Sequence, residues 1–180
     1  MRKRVFVGIQ ISVNFASFLD QWSRNNLKIK NLRLIPLRNL HITLVPPWYE
    51  EDIKVVSYKL ALIKNNPQSF VIDFRKILPG PNKSRPRLIW VQGQYNNNFE
   101  FLENKLHKLL KKELTKRKTI PHITIARFNP NKVNISSMKA LKEDISFGET
   151  VDNVTLFESK LKRGGAEYSI LKKIKLPPSQ

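Results

Sequence analysis

Apolar and polar positions along the chain change period several times, and each change marks an element. Val5 to Gln10 is a short apolar run that predicts a buried strand. From about Ser12 to Leu27 the apolar residues Phe15, Phe18, Leu19 and Trp22 recur at helical spacing. Leu32 to Pro36 and Leu40 to Val45 predict two strands, with Pro46-Pro47 expected to stop the pairing because proline has no N–H to give a ladder. Glu51 to Asn65 predicts a helix with acidic residues in its first turn and Ile53, Val56, Leu60 and Ile63 on one face. Phe70 to Leu78 alternates as a strand, residues 79–86 form a loop, and Arg87 to Gln92 is another strand.

A second helix is predicted from Asn97 to Leu114, its inward face carrying Phe99, Leu102, Leu106, Leu109 and Leu110. His107 lies in this helix and is expected at its surface or boundary. Pro121 to Arg127 predicts a strand and Ser136 to Glu143 a short helix. Thr150 to Ser159 and Glu167 to Ile174 predict a strand pair turned at Gly164-Gly165. Hairpin-length connections between several strands indicate an α+β fold with mainly antiparallel sheet. No low-complexity linker interrupts the chain, so residues 1–176 are expected to form one domain and 177–180 a frayed tail.

Within this pattern one short motif occurs twice. Residues 39–46 read Asn-Leu-His-Ile-Thr-Leu-Val-Pro and residues 120–127 read Ile-Pro-His-Ile-Thr-Ile-Ala-Arg. The two histidines are 81 residues apart, a spacing that suits two equivalent half-folds each supplying one strand. Side chains alternate along a strand, so His41 and Thr43 share one face while Ile42 and Leu44 point into a core. The same holds for His122 and Thr124 against Ile123 and Ile125. Paired about a pseudo-twofold axis, the strands would present two imidazoles across a cleft, each with a hydroxyl beside it. Period-2 counting puts Arg127 on the opposite face unless its strand bulges.

Composition sharpens the chemistry. There are 33 Lys and Arg against 14 Asp and Glu, a formal net charge of +19, which points to a polyanionic partner. Basic residues at 83, 85, 87, 116, 117, 118, 162 and 163 fall near loops or element ends. There is no cysteine, which excludes disulfides, thiolate nucleophiles and Cys-ligated zinc. The apolar run after Met1-Arg-Lys-Arg stops at Gln10 without a small-residue cleavage site, and no stretch of 18 apolar residues occurs. A cytoplasmic protein that does not bind membrane is therefore expected, and a monomer.

At the two motifs the sequence resembles the two-histidine (2H) phosphoesterases, and within them the RNA 2′,3′-cyclic phosphodiesterases once described as 2′-5′ RNA ligases. Arg4-Val-Phe-Val-Gly-Ile looks like the family's first strand and Arg85-Pro-Arg-Leu-Ile-Trp90 its central strand. Val154-Thr-Leu-Phe-Glu-Ser-Lys160, Gly164-Gly-Ala-Glu-Tyr168 and Leu171 look like its C-terminal strand pair. Two stretches depart from the family: Val45-Pro-Pro-Trp-Tyr49 replaces its aromatic-aliphatic-Gly turn, and Gln10-Ile-Ser12 stands where it often has an acidic residue and proline. The resemblance implies a two-lobed, pseudo-twofold fold with flanking helices and a central cleft. It implies hydrolysis of RNA 2′,3′-cyclic phosphate ends, or of cyclic nucleotides, to 2′-phosphomonoesters by metal-independent acid–base catalysis without a cofactor. His41 would then be the proton donor and His122 the proton acceptor, with Thr43 and Thr124 hydrogen-bonding the phosphoryl oxygens. Pseudo-symmetry alone leaves the two histidine roles interchangeable. Arg127, Phe6, Trp48, Tyr49 and Phe128 are the candidate substrate-binding residues, the first for phosphate and the aromatics for stacking on a base. Other activities with the same residues are 2′-5′ oligonucleotide cleavage or reversible 2′-5′ ligation; a reading of another class is a non-catalytic basic RNA-binding protein.

Overall fold

The computed structural model describes residues 2–63, 67–82, 84–113 and 119–179. Strand β1 (Lys3–Gln10) leads into helix α1 (Val13–Asn26), then β2 (Leu32–Leu34), a 3-10 turn (Leu37–Asn39) and β3 (His41–Glu50). Next come α2 (Ile53–Ala61), β4 (Phe70–Gly80), β5 (Leu88–Gly93), α3 (Asn97–Leu110) and β6 (His122–Phe128). Helix α4 (Ile135–Ala140) and strands β7 (Glu143–Val151), β8 (Asn153–Lys162) and β9 (Gly165–Lys175) complete the chain. All strand pairings are antiparallel, in the order β7-β4-β5-β6-β3-β1-β8-β9, with β2 also on β6.

This order reads the same from both ends towards its middle. The motif strands β3 and β6 lie innermost; each is flanked by the strand that precedes its helix, β1 for α1 and β5 for α3. Where β3 meets β6 the ladder is a single pair, Ile42 opposite Ile123. The helices reinforce that seam by crossing it: α1 packs against β6 and α3 against β3. Phe15 and Leu19 of α1 and Phe99, Leu102 and Leu106 of α3 belong to one continuous buried core with Ile42 and Ile123.

Helix boundaries follow side-chain caps. Ser12 accepts from Phe15 N at 3.2 Å, and Asn96 from Phe99 N at 3.0 Å. Asp52 accepts from Val55 N at 3.0 Å, so it caps α2 rather than sitting in its first turn. The expected end of α2 at Asn65 and of α3 at Leu114 falls on residues outside those described; α3 itself turns off at Lys111, which adopts the left-handed conformation (φ 54°).

Three expectations are corrected. Strand β3 does not stop at the prolines: Val5 opposes Trp48 and Val7 opposes Val45, so Pro46 and Pro47 together face Phe6. The prolines occupy a bulge, where the ladder is locally broken and their missing N–H costs little. The second correction is β7, which includes Glu143 and was not anticipated. Its alternation of Ile145, Phe147, Glu149 and Val151 is a strand pattern disguised by Glu149, whose buried carboxylate accepts from Ser12 N and Oγ at 2.5 and 2.7 Å. The third is His107, which is buried rather than at a boundary, its ring nitrogens 2.8 Å from Glu113 O and 3.1 Å from Leu44 O. At the C-terminus, Ser69 N donates to Pro177 O and Ser179 N to Ser69 Oγ.

Candidate active site

The paired motifs form their cleft through a local irregularity that each strand carries at the same place. On β3, Gly8 opposes Thr43 and Val7 opposes Val45, leaving Leu44 as an extra residue. On β6, Trp90 opposes Thr124 and Ile89 opposes Ala126, leaving Ile125 as the extra one. Burial records both bulges: in each strand His and Thr are half-buried, three apolar residues are buried, and the next position, Pro46 or Arg127, is exposed. A bulge shifts the alternation by one. Arg127 is thereby turned back to the histidine face, which strict alternation would have denied it. Leu44 O lies near His107 Nε2, and Ile125 O accepts from Ile35 N at 2.8 Å, so both bulged carbonyls meet a partner outside their own ladder.

The antiparallel register fixed at Ile42 and Ile123 places His41 across from Thr124, and Thr43 across from His122. All four line one cleft of about 410 Å³. Both histidines are oriented alike. His41 Nδ1 lies 2.7 Å from Asn39 O, and His122 Nδ1 lies 2.9 Å from Ile120 O, in each case the carbonyl two residues earlier. A carbonyl only accepts, so each Nδ1 donates and each Nε2 is left free for exchange. Thr43 Oγ1 is 3.2 Å from His41 Nε2.

Electrostatics hold both rings neutral. Burial pushes His41 down from 6.5 to about 4, with the His122 ring and the Arg127 guanidinium acting in the same direction and the Asn39 carbonyl opposing. His122 is also lowered, first by burial and then by Arg127, against its bond to Ile120 O. A cleft that disfavours a second positive charge favours an incoming anion. Arg4, Arg87 and Arg127 all line it, and no carboxylate does. Of the other basic residues expected near loops, those at 83, 116, 117 and 118 lie outside the described residues.

Among the other anticipated residues, Phe6 lines the cleft, its ring 4.8 Å from that of His41. Trp48, Tyr49 and Phe128 do not line it. Trp48 Nε1 donates to Glu50 and its ring lies under Lys112; Tyr49 lies under Arg2; Phe128, one residue past Arg127, points into the core. The strand phase after each bulge accounts for all three. Residues that sequence reasoning missed include Trp90, 4.5 Å from the His122 ring, and Tyr168, 5.2 Å from the His41 ring. Trp90 carried a signal, since it sits two places from Gln92, which pairs with His122. Tyr168 carried none. It reaches the cleft because buried Asn39 donates to Ala166 O at 2.7 Å and accepts from Tyr168 N at 3.3 Å, drawing the start of β9 over His41. Gly8 is required on the floor: a Cβ there would lie 2.7 Å from Ile42 O and 3.4 Å from His41 Cδ2.

Residues 13–163 match the family model described as the 2′-5′ RNA ligase superfamily. The chain is 31% identical to an RNA 2′,3′-cyclic phosphodiesterase of Methanocaldococcus jannaschii, over 94% of this chain and 98% of that one. It is 23% identical to the protein of the same description from Archaeoglobus fulgidus, again over 94% and 98%. In fold it is similar to a protein of Thermus thermophilus (TM-score 0.79, 18% identity, 98% and 100% of the two chains). It is similar also to apo LigT of Escherichia coli (TM-score 0.77, 21% identity, 98% of each). LigT has been crystallised with 3′-AMP as well, a structure that matches at TM-score 0.78 with 21% identity over 98% of this chain and 99% of that one. Among the described residues no helix is long and apolar enough to cross a membrane.

Proposed function

The chain belongs to the 2′-5′ RNA ligase superfamily, and from that membership we propose that it is an RNA 2′,3′-cyclic phosphodiesterase that opens the cyclic end to a 2′-phosphomonoester. The observation that carries the reading is the convergence of two like-oriented imidazoles, each with a free Nε2 and a threonine hydroxyl, on one cation-lined cleft.

A 2′,3′-cyclic phosphate needs a base for water, an acid for the departing ribose oxygen, and donors for charge that builds on the phosphoryl oxygens. His122 takes a proton from water, which attacks phosphorus. The P–O3′ bond breaks, and His41 delivers its proton to O3′. Thr43, Thr124 and Arg127 hold the non-bridging oxygens. Each positioned proton transfer is worth about 10²- to 10⁴-fold.

The free rings favour the neutral form, whereas the reaction needs one of them protonated. The substrate anion supplies the missing balance: a negative phosphate beside both rings raises both pKa values. Two consequences follow. The profile of kcat/KM, which reports the free enzyme, has its optimum below pH 6.5. The profile of kcat, which reports the complex, is centred at higher pH. Phosphorus NMR of the product from adenosine 2′,3′-cyclic phosphate tests the reading: the 2′-monophosphate is expected. The 3′-monophosphate would reverse the histidine roles, and an unreacted substrate would refute the assignment.

A further inference from the structure

A second cavity of about 270 Å³ opens beside the catalytic cleft and shares Arg127 and Tyr168 with it. It lies between β2 with the turn that follows and the Gly164-Gly165 connection of β8 to β9. Arg33, Arg38, Arg127 and Lys162 contribute four cations to its wall. One carboxylate faces them: Glu167 lies 2.7 Å from Lys162 and 4.0 Å from Arg38. Arg33 and Arg127 are left without a carboxylate among the described residues, yet they stand directly opposite each other in the β2–β6 ladder.

Like charges directly opposite on paired strands repel. The repulsion is relieved when an anion bridges the two guanidiniums, and a phosphate is matched to that geometry because it accepts paired N–H donors from each fork. The local backbone leaves room for it. Gly165 (φ +126°) lies against Arg33, where an added Cβ would stand 3.0 Å from Arg33 Nη1.

We propose that this second cavity holds the first phosphodiester upstream of the reacting nucleotide, so that the preferred substrate is an oligoribonucleotide chain rather than a cyclic mononucleotide. The inference rests on the proposed cyclic phosphodiesterase reading. With the terminal ring at His41 and His122, the chain leaves past Arg127 and Tyr168, and its next phosphate meets Arg33 and Arg38. Arg127 then belongs to both sites, contacting the reacting phosphate on one side and the following one on the other.

The test compares wild type, Arg33→Gln and Arg33→Lys on adenosine 2′,3′-cyclic phosphate and on a triadenylate ending in the same cyclic phosphate. The ratio of kcat/KM for the triadenylate to that for the mononucleotide is expected to fall about tenfold in Arg33→Gln and to be largely restored by Arg33→Lys. A second arm measures the affinity of the 2′-phosphorylated triadenylate against salt. The slope of log affinity on log salt is expected to shrink by about 0.7 to 1 in Arg33→Gln, as for one lost phosphate contact. A ratio and a slope equal to wild type would overturn the subsite and leave the catalytic reading intact. No turnover of either compound, with chain binding still dependent on Arg33, would overturn the catalytic reading and support the subsite. Inorganic phosphate that binds Arg33 as tightly as the chain does, with the ratio unchanged, would also overturn it.

Discussion

Replacing His41 by asparagine removes a ring whose burial makes the folded protein resist protonation, and the effect on stability can be worked out in advance. The folded pKa of about 4 lies below the ordinary 6.5. A depressed folded value contributes stability that is present above 6.5 and lost as the pH falls through 4, because the unfolded chain takes up the proton first. Each unit is worth about 1.36 kcal/mol, so the full interval corresponds to about 3 kcal/mol, and about 2.5 of this is lost by pH 4.5. Urea unfolding followed by tryptophan fluorescence at pH 7.5 and 4.5 measures it. Wild type is expected to lose about 2–3 kcal/mol more over this range than His41→Asn, whose side chain does not titrate. Saturating inorganic phosphate should narrow the gap, since an anion in the cleft favours the imidazolium. Equal pH dependence in the two proteins would refute the reasoning, and with it the claim that the cleft holds His41 neutral until an anion arrives.

Other predictions concern the residues that set the geometry. Gly8→Ala brings a Cβ to 2.7 Å from Ile42 O and must displace the motif strand; a shift of about 1 Å at His41 costs about 10²-fold in kcat. Gly148→Ala, whose Cβ meets Val71 at an ordinary 3.4 Å, serves as the control and should keep full activity in the same assay. Asn39→Ala leaves Ala166 O and Tyr168 N without their partner and should cost about 1–3 kcal/mol in urea unfolding, with lowered kcat/KM from the released Tyr168. Arg127→Gln removes a cation that depresses both histidines, so both limbs of the pH–kcat/KM profile should move towards higher pH.

Much of this was legible in the sequence because it depends on period. His41 and Thr43, like His122 and Thr124, could be placed on one face by alternation alone, and the 81-residue repeat implied the half-folds that β3 and β6 now centre. Bulges were not legible. A single extra residue at Leu44 and at Ile125 reverses the phase of all that follows, which brought Arg127 into the cleft and left Trp48, Tyr49 and Phe128 outside it. Nor could composition reveal contacts made by folding one element over another. Tyr168 reaches His41 through Asn39, and His107 reaches the Leu44 carbonyl behind the motif strand across 63 residues of chain. Proline read as a terminator in β3 for the same reason: its cost depends on whether the N–H position lies in a ladder or a bulge.

The central claim is that imidazoles from two pseudo-equivalent strands act together on one phosphorus. Single-turnover rates on an RNA with a 2′,3′-cyclic phosphate end, measured for wild type, His41→Ala and His122→Ala at matched folded concentration, test it most directly. Each variant is expected to lose about 10²- to 10⁴-fold while unfolding cooperatively like the parent. A folded variant of either position that turns over at the wild-type rate would contradict it.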